Sequence, residues 1–152
     1  METGNIDPIM HHSKHLIRSG VMLVLFGLLT GFFVHGLALP LLGVAAHLIG
    51  IIGGIFLIAG GAAWPRLRLS RSASLAGSWM GIYGFYATWA VYVLAGAWGA
   101  GGMFPLAAGQ TRGTALQEGI IAGVMVTVAL ALVGMCILLI WGLRGHKNAE
   151  SR

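Results

Sequence analysis

Long uninterrupted apolar runs dominate the pattern of hydrophobic and polar positions in this chain. Four of them reach the length of about 20 residues that a helix needs to cross the hydrocarbon core of a bilayer. They cover residues 19–39, 41–64, 75–98 and 114–143. The pattern predicts an all-α integral membrane protein, folded as a four-transmembrane-helix bundle.

Proline, glycine and arginine mark the breaks between the runs. Pro40 separates the first two, and Pro65 followed by three arginines ends the second. Residues 99–113 are rich in glycine and contain Pro105, so we expect no helix there. The first run is too long and too late for a signal peptide, and we expect it to be retained. The predicted divisions are an N-terminal segment 1–18, a membrane domain 19–143 and a C-terminal tail 144–152.

The composition excludes a soluble fold. Only 9% of the residues are charged, 57% are hydrophobic and 25 are glycine, whereas a soluble domain carries about 25% charged residues. The net charge of +5 does not indicate a nucleic-acid partner, because the basic residues flank the apolar runs instead of forming one patch. The single cysteine, Cys136, excludes an intrachain disulfide. Membrane lipid is therefore the expected surrounding.

The basic residues also predict the orientation. Four spans place both termini and the second connection on one side, and eight of the nine Lys and Arg residues fall there. Only Arg112 lies on the opposite side. Because positively charged loops stay in the cytoplasm, we expect both termini to be cytoplasmic, in a bacterial inner membrane.

Glycine spacing predicts close helix packing. Each span contains a Gly-xxx-Gly pair, the spacing that lets two helix backbones approach. The pairs are Gly27/Gly31, Gly50/Gly54, Gly77/Gly81 and Gly119/Gly123. Tryptophans at the span ends, Trp64, Trp98 and Trp141, are expected in the interfacial belts.

His47 is the leading candidate for chemistry, because polar side chains inside a bilayer are costly. It lies about six residues, or about 9 Å, from the outer end of the second span. Gly43, Gly50, Gly54 and Gly61 share its helix face, which leaves a nearly bare stripe. Imidazole is a common axial ligand of haem iron, and a flat macrocycle needs such a face. We expect His47 to bind haem iron and Gly50 and Gly54 to border the haem; a plain hydrogen bond to a neighbouring helix is the alternative.

The third span supplies further candidates. We expect a pocket between spans two and three, with Tyr83, Tyr86, Thr88 and Tyr92 as candidate catalytic residues and Trp79 and Trp89 as candidate substrate-binding residues. A packed aromatic helix is the alternative. At the outer end, Arg112 either contacts an acidic cofactor group such as a haem propionate or pairs with Glu118.

Other site types are excluded or less favoured. The chain has no P-loop, dinucleotide fingerprint, two-carboxylate site or nucleophile with its base, which excludes hydrolases and kinases. The remaining terminal histidines lack partners at zinc-like spacing and are expected to be solvated; they are His11, His12, His15 and His146. Two rival interpretations stay open: an electron-transfer cytochrome with His35 and His47 as axial ligands, and a cofactor-free scaffold or small transporter.

The order of several segments resembles the hydroxylaminobenzene mutase family and, more distantly, the styrene oxide isomerases. The matching segments are residues 46–50 (AHLIG), 64–70 (WPRLRLS), 83–89 (YGFYATW), 98–103 (WGAGGM), 113–118 (GTALQE) and 141–145 (WGLRG). Together they extend over most of residues 14–145.

The resemblance implies a homotrimeric membrane isomerase of four helices. In the styrene oxide branch it implies haem b near the subunit interface, with His47 at the axial-ligand position. An asparagine of that branch is replaced here by Gly53, and its aspartate and tyrosine of span three by Tyr83 and Val91. The asparagine expected in the mutase-like segment is Thr88.

The function expected from these features is a haem-dependent isomerisation of a small aromatic compound, as in aromatic-compound degradation. Iron would act as a Lewis acid while hydroxylaminobenzene becomes 2-aminophenol by intramolecular hydroxyl transfer. The alternative substrate is an aryl epoxide such as styrene oxide, which would give phenylacetaldehyde.

Overall fold

A computed structural model describes the backbone of residues 7–144 and the side chains of residues 12–144. The described part contains five α-helices and no strand. The helices are α1 (Asp7–Phe33), α2 (Pro40–Ala63), α3 (Arg71–Trp98), α4 (Pro105–Ala108) and α5 (Ala115–Leu143). Two 3-10 turns, Val34–Gly36 and Trp64–Arg66, follow α1 and α2. His11, for its side chain, and His146 lie outside the described residues.

Four of the helices are long and apolar enough to cross a membrane, which confirms the predicted four-helix membrane bundle. The first helix begins 12 residues before the predicted span, at Asp7. Pro8 lies in its first turn, where a proline suits a helix start because no backbone N–H is needed there. The described residues that precede the predicted apolar run therefore belong to α1.

The N-terminal ends of α3 and α5 are each capped by a side chain. Ser70 Oγ accepts a hydrogen bond from the Ala73 N–H at the start of α3. Thr114 and Gln117 form a capping box at the start of α5, with Thr114 N–H donating to Gln117 Oε1 over 2.8 Å. Gln117, a polar residue at the edge of the fourth span, is thus used by its own helix end.

Residues 99–113 differ from the prediction, since they contain the one-turn helix α4. Pro105 stands at its first turn, and Gly109 ends it with a φ of 59° that favours glycine. The expectation of no helix there was wrong because a proline that breaks a long helix also starts a short one well.

Glycines allow α1 and α2 to approach each other at backbone distance. A Cβ at Gly50 would lie 2.5 Å from Gly27 Cα, and a Cβ at Gly54 would lie 2.6 Å from the Gly20 carbonyl oxygen. The second helix pair is α3 with α5, where a Cβ at Gly81 would lie 2.7 Å from Met135 Sδ. The two pairs meet where α2 packs on α3.

The glycine pair of α5 does not pack within the described chain. A Cβ at Gly119 or Gly123 would meet no atom within 4 Å. Much of α5 faces outward, and Leu130 is 70% exposed. Close packing at this pair was therefore a wrong prediction for the isolated subunit.

Trp64 is a correction to the predicted aromatic belt. It is fully buried, at 1% exposure, and its Nε1–H donates to Ser74 Oγ over 2.8 Å. Trp98 and Trp141 are exposed, as belt residues are. A buried indole needs an acceptor, and Ser74 supplies it from the next helix.

Candidate functional site

His47 lies two turns into α2 and is half-buried against α1. Its Nδ1 is 2.8 Å from the Gly27 carbonyl oxygen. A carbonyl only accepts, so this hydrogen bond places the proton of the neutral ring on Nδ1. The lone pair of Nε2 is then available, which is the state that a metal-binding imidazole requires.

Gly31 lies directly against the imidazole. A Cβ at this position would be 2.8 Å from His47 Nδ1 and 3.1 Å from its Cε1. Gly27 and Gly31 are one helical turn apart on α1, so one provides the acceptor and the other the space beside the ring. This pair explains the first Gly-xxx-Gly spacing by a local contact to His47.

An apolar cavity of about 570 Å³ opens beside His47. Its lining residues come from α1, the turn after it and the start of α2: Leu28, Gly31, Phe32, Val34, His35, Val44 and His47. We call it the His47 cavity. The expected pocket lay between the second and third spans; the structure instead puts this cavity between the first and second, with both candidate iron ligands on its wall.

The glycine stripe of α2 does not form the open face that was expected. Gly50 and Gly54 are buried against the backbone of α1, and Gly61 packs against Ser13 and Ile17. The stripe is a helix contact, because α1 occupies the space that the missing side chains leave. The cavity lies beside this contact, at the level where α1 ends.

Trp89 and Tyr86 of α3 face α1. Trp89 Nε1–H donates to Thr30 Oγ1 over 3.1 Å, and its ring stacks on Phe26 at a centroid distance of 5.3 Å. Tyr86 donates its hydroxyl hydrogen to the Ser19 carbonyl over 2.8 Å. These contacts join α3 to the part of α1 that contains Gly27, whose carbonyl oxygen accepts the His47 hydrogen bond.

The other third-span candidates are dispersed. Tyr83 and Thr127 join α3 to α5 by a 2.6 Å hydroxyl hydrogen bond. Thr88 Oγ1 donates to the Gly84 carbonyl of its own helix over 2.6 Å. Trp79 is 57% exposed and lies 5.9 Å from the His15 ring, at the opposite end of the bundle from His47.

Tyr92 lines a second apolar cavity of about 430 Å³. This Tyr92 cavity lies between α2 and residues 103–107 of the outer connection, and the Tyr92 and Phe104 rings are 4.7 Å apart on its wall. Val44 lines both this cavity and the His47 cavity. The two cavities are therefore neighbours on the outer part of α2.

Glu118 holds the outer connection in place. Its carboxylate accepts from the Gly102 N–H over 3.1 Å and from the Gly113 N–H over 2.9 Å. Arg112 is exposed and lines a small polar pocket of the same connection. Within the described residues no ion pair joins Arg112 to Glu118, so that one of the two alternatives for Arg112 is not found; backbone N–H groups donate to the carboxylate instead.

The family of the chain follows from its similarity to known proteins. The family model for styrene oxide isomerase matches residues 12–144, nearly all of the chain. The chain belongs to the styrene oxide isomerase family. It is accordingly an isomerase, and with its four apolar helices it is an integral membrane protein.

This member of the styrene oxide isomerase family is also similar to two proteins named as hydroxylaminobenzene mutases. Hydroxylaminobenzene mutase HabB of Ectopseudomonas oleovorans is 45% identical over 143 residues, which cover 91% of this chain and 87% of the relative. Hydroxylaminobenzene mutase HabA of the same organism is 40% identical over 130 residues, covering 85% and 96%. No solved structure matches the chain.

Sequence reasoning missed two parts of this family member's site. The carbonyl acceptor at Gly27 is a backbone group, so no side-chain motif marks it; the Gly27/Gly31 spacing was the available signal. Thr30 accepts the Trp89 hydrogen bond and lies between these two glycines in the sequence, but it is not among the predicted site residues. Among the described residues, no three His, Cys, Asp or Glu side chains gather to hold a bare metal ion.

Proposed function

We propose that this isomerase converts hydroxylaminobenzene to 2-aminophenol, with haem b bound through His47. The reaction is suggested by the names of the two mutases, to which the chain is 45% and 40% identical. The observation that carries the proposal is the His47 hydrogen bond to Gly27, which leaves Nε2 free at the wall of an apolar cavity.

The donor set fits a porphyrin. A bare iron or zinc ion needs several protein ligands, whereas a porphyrin holds its iron through its own nitrogens, so a single imidazole of the protein would be enough. His47 would supply that imidazole, with the Gly27 carbonyl fixing its ring orientation. The apolar lining of the cavity suits a macrocycle, and Arg112, which is not paired with Glu118, is the proposed partner of an acidic edge group.

Bound ferric haem would supply a Lewis acid for the substrate oxygen and would require no net redox change. The residues of the chain provide the surroundings. The apolar walls beside His47 and around Tyr92 disfavour water, which would otherwise trap a cationic aromatic species. Tyr92, Tyr83, Tyr86 and Thr88 stay as candidates for hydroxyl contacts to substrate, and Trp79 and Trp89 for ring contacts. Tyr92 has the best access, because its side chain lines a cavity.

We also propose that the protein works as a homotrimer. The His47 cavity opens at the surface of the subunit, where Phe32 is 82% exposed. The outer face of α5 carries glycines that contact no other atoms of the described chain and large apolar side chains that are exposed. A neighbouring subunit packed on such faces would close the cavity and bury them.

For the placement in the membrane, we propose a bacterial inner membrane with both termini in the cytoplasm. Most of the described Lys and Arg residues lie near one end of the bundle, at positions 14, 18, 66, 68, 71 and 144. Arg112 belongs to the connection at the opposite end. The positive-inside rule then assigns the first end to the cytoplasm.

An aryl epoxide is the second candidate substrate, favoured by the family name. One local feature speaks for the mutase reaction. A Cβ at Gly53 would lie 2.8 Å from the Phe85 ring, so an asparagine, as expected in the epoxide branch, does not fit here as packed. The Phe85 ring occupies the space beside Gly53 that a polar side chain would need.

A bis-histidine cytochrome is the second candidate of another class, because His35 lines the same cavity as His47. A low-spin haem spectrum that is lost in the His35→Ala variant would favour it. If His47 alone holds the haem, the spectrum should be unchanged in that variant.

The reaction is tested with purified ferric protein and hydroxylaminobenzene, without NAD(P)H, in ¹⁸O-labelled water. We expect 2-aminophenol with little solvent label, because the hydroxyl group is transferred within the molecule. Cyanide, which binds haem iron, should inhibit the reaction if iron acts on the substrate oxygen. Full incorporation of the label would contradict intramolecular transfer, and the same preparation given styrene oxide tests the alternative substrate.

A further inference from the structure

The Tyr92 cavity offers one polar group in apolar surroundings. Tyr83 and Tyr86, the other tyrosines of α3, use their hydroxyl groups in hydrogen bonds to Thr127 and Ser19. The Tyr92 hydroxyl has no hydrogen-bond partner among the described residues, although its ring packs against Phe104. No buried side-chain oxygen of the described residues lacks a partner, so the hydroxyl of Tyr92, which lines the cavity, is accessible. The cavity therefore presents a free donor and acceptor to whatever enters it.

The size of the cavity suits a single aromatic ring. An apolar cavity of about 150 Å³ is enough to bind benzene. The Tyr92 cavity, at about 430 Å³, holds a benzene ring with a short polar substituent and leaves room for movement. The Tyr92 and Phe104 rings are tilted by 48°, so a third ring can meet the face of one and the edge of the other.

The position of the cavity connects it to His47. Val44 lines both cavities, so a single side chain lies on the boundary between them. Residues 103–107 form the outer wall, and Glu118 ties the same connection down through Gly102 and Gly113. A molecule held beside Tyr92 is thus next to the part of α2 that also lines the His47 cavity.

We propose that the Tyr92 cavity is a binding site for the aromatic substrate before it passes Val44 to the His47 cavity. The ring packs on Tyr92 and Phe104, and the polar nitrogen or oxygen substituent hydrogen-bonds to the Tyr92 hydroxyl. The inference rests on the aromatic substrate class of the proposed function. It adds a site and a specificity residue that are separate from the iron ligand.

The site is tested by photolabelling the full chain in lipid nanodiscs with 3-azidoaniline, a photoreactive arylamine. Label is expected on Tyr92 or on residues 103–107, with saturation and with protection by excess aniline. The Ala45→Phe variant fills the cavity and should lose the protected label. Ala59→Phe, an equal change at an exposed position of the same helix, should keep it. Equal label in Ala45→Phe, or protected label confined to other segments, would overturn the proposal.

A kinetic measurement gives the second arm. Tyr92→Phe should raise KM for hydroxylaminobenzene by about ten-fold, the effect of one lost hydrogen bond, with little change in kcat. An unchanged KM would overturn the assigned role of the hydroxyl. Labelling needs neither haem nor turnover, so the two proposals fail separately. Protected label without conversion contradicts the proposed reaction alone, and conversion without protected label contradicts the cavity site alone.

Discussion

His47 Nδ1 and the Gly27 carbonyl oxygen are 2.8 Å apart, and the hydrogen bond between them joins α2 to α1 and sets the tautomer of this imidazole. The hydrogen bond exists because Gly27 and Gly50 let the two helix backbones meet. Helix packing and ligand orientation are therefore consequences of the same glycines, and changes at these positions should affect both.

Gly31→Ala should displace the imidazole, because the new Cβ would lie 2.8 Å from His47 Nδ1. We expect haem affinity, measured by hemin titration of the purified protein, to fall by about ten-fold or more, as for the loss of a ligand-orienting contact. Gly36→Ala is the matched control, since a Cβ there meets nothing within 4 Å. Equal affinities of the two variants would refute the contact.

Glu118→Ala should destabilise the outer connection, because the Gly102 and Gly113 N–H groups lose their acceptor. The expected cost is about 1–3 kcal/mol, the usual range for partners of a charged group. Thermal unfolding in detergent measures it. Gln110→Ala, an exposed change in the same connection, should have little effect, and a similar Tm loss in both variants would argue against the Glu118 contacts.

Trp89→Phe should keep an aromatic ring on Phe26 but remove the donor to Thr30. We expect a coupling of about 0.6–1 kcal/mol with Thr30→Val in a double-mutant cycle, the size of hydrogen bonds measured between membrane helices. The coupling is calculated from the free energies of unfolding of the wild type, the two single variants and the double variant, each measured by titration with a denaturing detergent. A coupling near zero would mean that this bond does not join α3 to α1.

Reporter fusions test the orientation. Fusions at residue 69 and at the C-terminus should report the cytoplasm, and a fusion at residue 108, within α4, should report the opposite side. The reason is the distribution of Lys and Arg, of which Arg112 alone belongs to the outer connection. A cytoplasmic signal at residue 108 would contradict the four-span topology.

Hydropathy was enough to predict the four spans, because the bilayer requires about 20 apolar residues in each helix. It did not predict which helix each glycine meets. Gly50 and Gly54 look like an open face in the sequence, but α1 covers them. Trp64 looks like an interfacial residue, and only the tertiary structure shows that Ser74 accepts its hydrogen bond. Such pairings depend on helix rotation, which a nearly uniform apolar sequence does not encode locally.

His47 was predicted from its depth, yet the location of its cavity was not. The site was expected between the second and third spans because the third carries the aromatic residues. The structure turns Trp89 and Tyr86 towards α1 and opens the His47 cavity between α1 and α2. Of the candidate hydroxyl residues, Tyr92 lines the neighbouring cavity, and α4 contributes to the wall of that cavity. The position of the short helix α4 beside α2 depends on the tertiary structure, so the local sequence did not predict it.

The absorption spectrum of the purified protein, expressed with adequate haem supply, tests the central proposal most directly. Wild type should show a Soret band that is lost or weakened in His47→Ala and partly restored by added imidazole, because Nε2 of His47 is the proposed iron ligand. A colourless wild type, or a His47→Ala variant with an unchanged Soret band, would contradict the account.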